Sequence, residues 1–212
     1  MATVVGIVPA GGSGERLGAD RPKAFVVLAG KTLLERSVEA LRPVCDRVVV
    51  AVPAGEESGA DRVAGGPSRS ASVRNALAAA PEAEIAVVHD AARPLATPEL
   101  ARRCVEALEP GVEGAIAAAP LTDTVKEASP DGRVVRTLDR TALWAVQTPQ
   151  AFRADALRRA LDVGEDALAA ATDDASLVEA AGGIVRIVEA PPENLKVTRQ
   201  ADLELAEAIL GC

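Results

Sequence analysis

Cysteine is scarce in this 212-residue chain, which holds only Cys45, Cys104 and Cys212. No CxxC pair occurs and His89 is the single histidine, which excludes a Cys/His zinc site and a disulfide framework and fits a reducing cytoplasm. Aromatic residues are limited to Phe25, Trp144 and Phe152, too few for platforms on which bases stack. Net positive charge is lacking as well. The balance is −8, which argues against DNA or RNA, where basic surface supplies most of the affinity. No apolar run approaches the roughly 18 residues of a membrane span. The N-terminus, MATVVGIVPAGG, has neither the basic flank nor the cleavage pattern of a signal peptide. The expectation is a cytoplasmic protein that engages neither nucleic acid nor membrane. Lysine is rare too: Lys23, Lys31, Lys126 and Lys196 are the only lysines among 23 cations. The many arginines reflect overall composition, so each lysine carries more information than an arginine.

What is present is a chain 49% hydrophobic and 25% charged, long enough to enclose a sizeable core without staples. No repeat or linker divides it, so residues 1–212 read as one domain. Apolar, β-branched runs alternate with helical patterns. Strands are expected at 3–8, 47–52, 84–89, 114–119 and 184–190, and helices at 31–41, around 70–80 and around 98–109. The runs are continuous, as in strands buried on both faces by crossover helices, which predicts an α/β fold with a mostly parallel twisted sheet flanked by helices. Thr97-Pro98-Glu99 and Thr172-Asp173-Asp174 mark helix starts, with Gly182-Gly183 closing the second helix. A last helix begins at Thr198, with Leu203, Leu205, Ala206, Ile209 and Leu210 as its buried stripe. Residues 121–142 break the alternation. They read as two polar arms around a Ser129-Pro130-Asp131-Gly132 turn. A lone ribbon is marginal in water, so it packs on a second copy of the chain or lies flat on its own sheet.

Four segments carry candidate chemistry. After the first strand comes Pro9-Ala10-Gly11-Gly12-Ser13-Gly14-Glu15-Arg16-Leu17-Gly18, leading to Arg21-Pro22-Lys23. Small residues there let backbone N–H groups approach an anion. The dinucleotide fingerprint GxGxxG fails, because its third glycine is due at Leu17. The Walker pattern fails too, because Phe25 stands where Gly30-Lys31-Thr32 would need its earlier glycine. A glycine-rich phosphate loop with Arg16 and Lys23 remains, against a tight turn with solvated charges. The second segment, His89-Asp90-Ala91-Ala92-Arg93-Pro94, follows a strand, where α/β sheets collect ligands. Asp90 there suits Mg²⁺, which keeps water and phosphate oxygens as its other ligands. An Asp90–Arg93 pair organising the loop is the alternative, and His89 reads as a satisfied strand-end residue. Third, Gly65-Gly66-Pro67-Ser68-Arg69-Ser70-Ala71-Ser72 suits close contact with a ring or phosphate, or is simply a capped loop. Fourth, Asn194-Leu195-Lys196-Val197-Thr198 puts a rare lysine in an apolar strand, where it needs an anionic partner or snorkels to the surface. No nucleophile–base pair is evident. Cations, glycines and one or two carboxylates fit phosphate chemistry without a covalent intermediate.

These motifs, in order, resemble the 2-C-methyl-D-erythritol 4-phosphate cytidylyltransferase family. The likeness runs from PAGGSGERLG and PK through GG with a following R (Arg69) and SV, HDAARP, DTVK, LDR with LW and QTPQ, and TDDAS to NLKVT. The resemblance implies a Rossmann-like nucleotidyltransferase fold with a projecting β-arm, Mg²⁺ dependence, CTP as co-substrate and a homodimer with exchanged arms. It also implies that Arg16 and Lys23 stabilise the triphosphate, and that Ala10, Gly11 and Gly12 cradle the nucleotide, with Gly66 and Ser72 near cytosine. Asp90 would hold the metal. Arg93, Thr172 and Lys196 would face the polyol phosphate, joined by Thr124 and Arg140 from the partner subunit. Ribitol 5-phosphate cytidylyltransferases share the nucleotide chemistry and differ in the acceptor. Ala24, Gly11 and Pro67 depart from the commonest family pattern.

Overall fold

The structure, a computed structural model, describes residues 2–12 and 22–211. The chain opens with β1 (Val4–Pro9), a short hairpin of β2 (Val27–Leu28) and β3 (Lys31–Thr32), and α1 (Leu33–Leu41). Next come β4 (Arg47–Val52), β5 (Arg62–Ala64), α2 (Arg69–Ala78), β6 (Ile85–Val88) and α3 (Pro98–Glu106). The second half contains β7 (Gly114–Pro120), β8 (Lys126–Ala128), β9 (Val134–Thr137) and β10 (Trp144–Arg153). It closes with α4 (Ala154–Leu161), α5 (Glu165–Ala170), α6 (Asp174–Ala180), β11 (Val185–Glu189) and α7 (Gln200–Leu210).

Seven strands form one sheet in the order β11-β7-β10-β6-β1-β4-β5. Every pairing is parallel except those of β10, which runs antiparallel to both β6 and β7. The strand period of two divides the central residues between two faces. Val5, Ile7, Val49, Ala51 and Val88 enter a core with Val73 and Leu77 of α2 and Leu157 and Leu161 of α4. Val8, Val50, Val52, Ile85 and Val87 enter another with Leu34 and Leu41 of α1 and Leu100 and Cys104 of α3. Both faces are covered, which is why these strands read as continuous apolar runs.

The sequence boundaries hold with instructive exceptions. Lys31 and Thr32 fall in β3, and α1 starts after them because Thr32 and Glu35 form a reciprocal capping box. The segment 194–198 is not a strand; backbone contacts to other loops hold it in irregular conformation. In α7 only Leu203 and Ala206 of the expected stripe are buried, while Leu205, Ile209 and Leu210 are exposed. The helix seats on a small cluster of Leu28, Leu33 and Val197, which accepts one narrow edge. β10 escapes the strand pattern because Gln147, Thr148, Pro149 and Gln150 interrupt it. The register shift between Val146 and Gln150 accommodates that proline.

The ribbon turns at Gly132, whose φ of +84° favours glycine. β8 and β9 pair only with each other, and all their residues are exposed, Val134 and Val135 at 61% each. The ribbon therefore does not lie flat on its own sheet.

Candidate functional site

The parallel strands β1, β4, β5 and β6 end on one edge of the sheet, and their following loops build a cleft there. The Ala10 N–H donates to the Ala51 carbonyl at 2.7 Å, and the Gly65 N–H to the Val52 carbonyl at 2.7 Å. These bonds fix both glycine-bearing loops to β4. The Lys23 N–H donates to the Gly12 carbonyl at 3.1 Å, closing the first loop. On the opposite wall, Ser72 Oγ accepts from the Gly66 N–H at 3.0 Å and donates to the Ser68 carbonyl at 2.9 Å. A Cβ on Gly66 would fall 2.5 Å from the Ala71 Cβ, so only glycine lets this loop fold tightly onto α2. The resulting cleft has a volume of about 600 Å³. Ala10, Gly11, Gly12, Lys23, Gly66, Ser72, Asp90 and Lys196 all line it.

Asp90, just past β6, is the one carboxylate among the described residues lining this cleft. Its Oδ1 accepts from Arg69 Nε at 2.8 Å and its Oδ2 from Lys196 Nζ at 2.7 Å. Burial alone would push this carboxyl up, but the charges of Arg69 and Lys196 outweigh it and hold Asp90 well below the usual carboxylate range. Arg69 continues the chain, its Nη1 donating to Asp174 Oδ2 at 2.6 Å. Asp174 is fully buried, and that burial pushes its carboxyl up.

A second cavity of about 440 Å³ adjoins the cleft and shares Arg69, Asp90 and Lys196 with it. Arg93 and Thr172 line it with the neutral polar groups of Gln147, Thr148, Gln150 and Ser176 and with the carboxylates of Asp173 and Glu179. Segment 194–198 reaches the site through the Val197 N–H, which donates to the Ala92 carbonyl at 2.8 Å, and through Asn194 Nδ2, which donates to the Thr148 carbonyl at 2.9 Å. His89 is fully enclosed, with Nδ1 at 3.0 Å from Thr148 Oγ1 and Nε2 at 3.1 Å from the Arg93 carbonyl. Burial pushes its pKa down to about 4, so the ring is neutral at pH 7.

The structure thus brings Ala10, Gly11, Gly12, Lys23, Gly66, Ser72, Asp90 and Lys196 to one cleft and Arg93 and Thr172 to its neighbour. Lys196 combines the two readings: its Nζ pairs with Asp90, and its side chain is 45% exposed. Arg93 does not pair with Asp90. It is 9% exposed, and its Nη1 donates to the Asn194 carbonyl at 2.7 Å, so its role in the loop rests on backbone. Thr124 and Arg140 stand apart from both cavities on the exposed arm, where Arg140 donates to the Thr122 carbonyl of its own chain. Arg16 lies outside the described residues.

The sequence profile described as "IspD: 2-C-methyl-D-erythritol 4-phosphate cytidylyltransferase" matches residues 4–212. The chain belongs to this family. A cytidylyltransferase of this name from Rubrobacter xylanophilus is 46% identical over 227 residues, covering 100% of this chain and 96% of the relative. One from Frankia casuarinae is 48% identical over 98% of this chain and 81% of the relative. The crystal structure of the Thermus thermophilus 2-C-methyl-D-erythritol 4-phosphate cytidylyltransferase superposes with a TM-score of 0.83 at 36% identity, over 100% of both chains. The mostly parallel sheet with its antiparallel β10 is therefore the α/β fold of IspD cytidylyltransferases. The family motifs contain Arg69, as the R between GG and SV, and Asp174, in TDDAS, but assign neither a role; their meeting across 105 residues is visible only in the fold.

Proposed function

We propose that the protein transfers CMP from CTP to 2-C-methyl-D-erythritol 4-phosphate, giving 4-diphosphocytidyl-2-C-methyl-D-erythritol and pyrophosphate for isoprenoid precursor synthesis. One observation carries the reading: a glycine-walled cleft and a smaller polar cavity meet at a common wall of Arg69, Asp90 and Lys196. That arrangement suits two anions brought together across fixed charge. CTP occupies the cleft, its phosphates against the backbone of Ala10, Gly11 and Gly12 and its base against Gly66 and Ser72. Lys23 and Arg16 neutralise charge on the triphosphate as the acceptor attacks the α-phosphorus. The acceptor lies in the second cavity, held by Arg93, Thr172 and Lys196. Its phosphate oxygen is already ionised at neutral pH, so no general base is needed. The enclosed neutral His89 is accordingly left out of the chemistry.

Mg²⁺ fits this donor set. A single carboxylate suffices when phosphates and water supply the other ligands, and Lys196, 45% exposed at its side chain, is free to yield the outer oxygen of Asp90. Asp90 would hold the ion, which when bound adds charge neutralisation to the triphosphate. The reading also includes a cytoplasmic homodimer in which Thr124 and Arg140 of one arm complete the partner's acceptor cavity. The wholly exposed ribbon with Val134 and Val135 uncovered supports it. The decisive experiment incubates the protein with CTP, Mg²⁺ and either methylerythritol 4-phosphate or ribitol 5-phosphate and measures pyrophosphate. Release with the methylerythritol ester is expected; release with ribitol 5-phosphate alone, or with neither, overturns the reading.

A further inference from the structure

The wall between the cavities contains a carboxylate that the scheme above leaves unused. Asp174 lines neither cavity and is 0% exposed. Its Oδ2 takes Arg69 Nη1 at 2.6 Å, and its Oδ1 has no hydrogen-bond partner among the described residues. Arg69 spends its Nε on Asp90 at 2.8 Å, and its Nη2 is also without a partner among the described residues. The guanidinium is therefore held by two carboxylates on two different edges, while lining both cavities. Arg69 opens α2, directly after the Gly65-Gly66 loop on the nucleotide side, and Asp174 opens α6, directly after Thr172 on the acceptor side. One ion pair ties together the two loops that wall the two cavities.

A buried ion pair is a poor device for stability alone, since apolar replacements are often neutral or better. What this one supplies is orientation and charge. With Asp174 in place, Arg69 cannot rotate to grip Asp90 with two nitrogens, and its charge is shared, so the Asp90 carboxylate keeps its direction towards Lys196 and the nucleotide. We propose that Asp174 is a positioning residue for nucleotidyl transfer, acting through Arg69 to fix the Asp90 carboxylate at the wall where acceptor and nucleotide meet. The inference rests on the cytidylyltransferase reading.

A double-mutant cycle of Asp174→Asn and Arg69→Lys tests it. Asn preserves volume and removes charge, whereas Lys preserves charge and removes the two-edged grip. Loss of such a supporting partner lowers activity about 10- to 100-fold, so each single variant should lose at least about tenfold in kcat, with the KM for CTP and the melting temperature little changed. Because both act along one chain, the double variant should be no slower than the worse single. Multiplicative losses, wild-type kcat in either single variant, or a melting temperature that falls in step with activity would overturn the proposal. If Asp174→Asn does not fold, Arg69→Lys alone decides by the same separation of kcat from KM and melting. The wild type is assayed alongside. No pyrophosphate from it defeats the functional reading itself, whereas an active wild type with indifferent variants defeats only the role of Asp174.

Discussion

Lys23 shows how a single residue joins sequence rarity to site chemistry. One of four lysines in the chain, it lies on the cleft with its backbone bonded to Gly12. In the proposed reaction it meets charge that grows on the triphosphate as the bond to the α-phosphorus breaks. Removing one preorganised electrostatic donor lowers kcat by roughly 10²-fold or more. Lys23→Ala should do so with little effect on folding; steady-state kinetics with wild-type kcat would refute that role. Gly66 makes a steric prediction. Its missing side chain is enforced by Ala71, 2.5 Å from where a Cβ would fall. In Gly66→Ala the loop must shift away from α2, breaking the bond of its N–H to Ser72 Oγ. Overpacking of this kind costs about 1–3 kcal/mol, so urea unfolding should show that loss and the KM for CTP should rise. Both residues were legible in the sequence because their types are unusual where they stand. Arg69 stood in a motif without a role, because its place between two cavities depends on contacts across the fold.

Elements were legible where one physical pattern controlled them. β1, β4, β6 and β7 are continuous apolar runs because helices cover both sides of the sheet. β10 was missed because the residues that interrupt its pattern serve the site: Thr148 Oγ1 accepts from the Asp90 N–H at 3.0 Å, and Gln150 Nε2 donates to Asp173 Oδ2 at 2.9 Å. Segment 194–198 looked like a strand because Leu195 and Val197 alternate with polar groups, yet it pairs with no strand. It is held by Val197 in the cluster beneath α7 and by bonds of Asn194 to β10 and of Val197 to the Ala92 carbonyl. α7 was over-read for the opposite reason, since a small cluster beneath it covers only one narrow edge. The α1 boundary offers a direct test. Thr32 Oγ1 accepts from the Glu35 N–H at 3.1 Å while Glu35 Oε2 accepts from the Thr32 N–H at 2.7 Å. Thr32→Ala removes one half of this box, a loss of about 1 kcal/mol, and should lower the melting temperature by about 2–4 °C in a chain of this size. An unchanged melting curve would mean the box contributes nothing to holding α1 against the sheet.

The whole molecule carries a net charge of −8 yet is proposed to bind two anions, so its cations must act by placement. Lys23, Arg69 and Lys196 converge on the cleft, while many other arginines pair with surface carboxylates. Arg140 lines neither cavity of its own chain and stands on the arm whose strands are wholly exposed. The sequence displayed the ribbon, through its turn and its polarity, and left open whether it packs on a second copy or on its own sheet; its exposed strands exclude the latter. If the arms are exchanged, every working site combines the body of one subunit with Arg140 of the other. Co-expressing a Lys23→Ala chain with an Arg140→Ala chain separates the two contributions. In the heterodimer, one site receives an intact Lys23 and an intact Arg140, and the other receives neither. Random pairing makes half of the dimers mixed, so the expected activity at low acceptor concentration is about a quarter of wild type under the symmetry of a two-fold dimer. That lies well above either parent alone. Arms that served their own subunit would instead leave the mixture at the average of the two parents, because each chain would carry its own defect into every pairing.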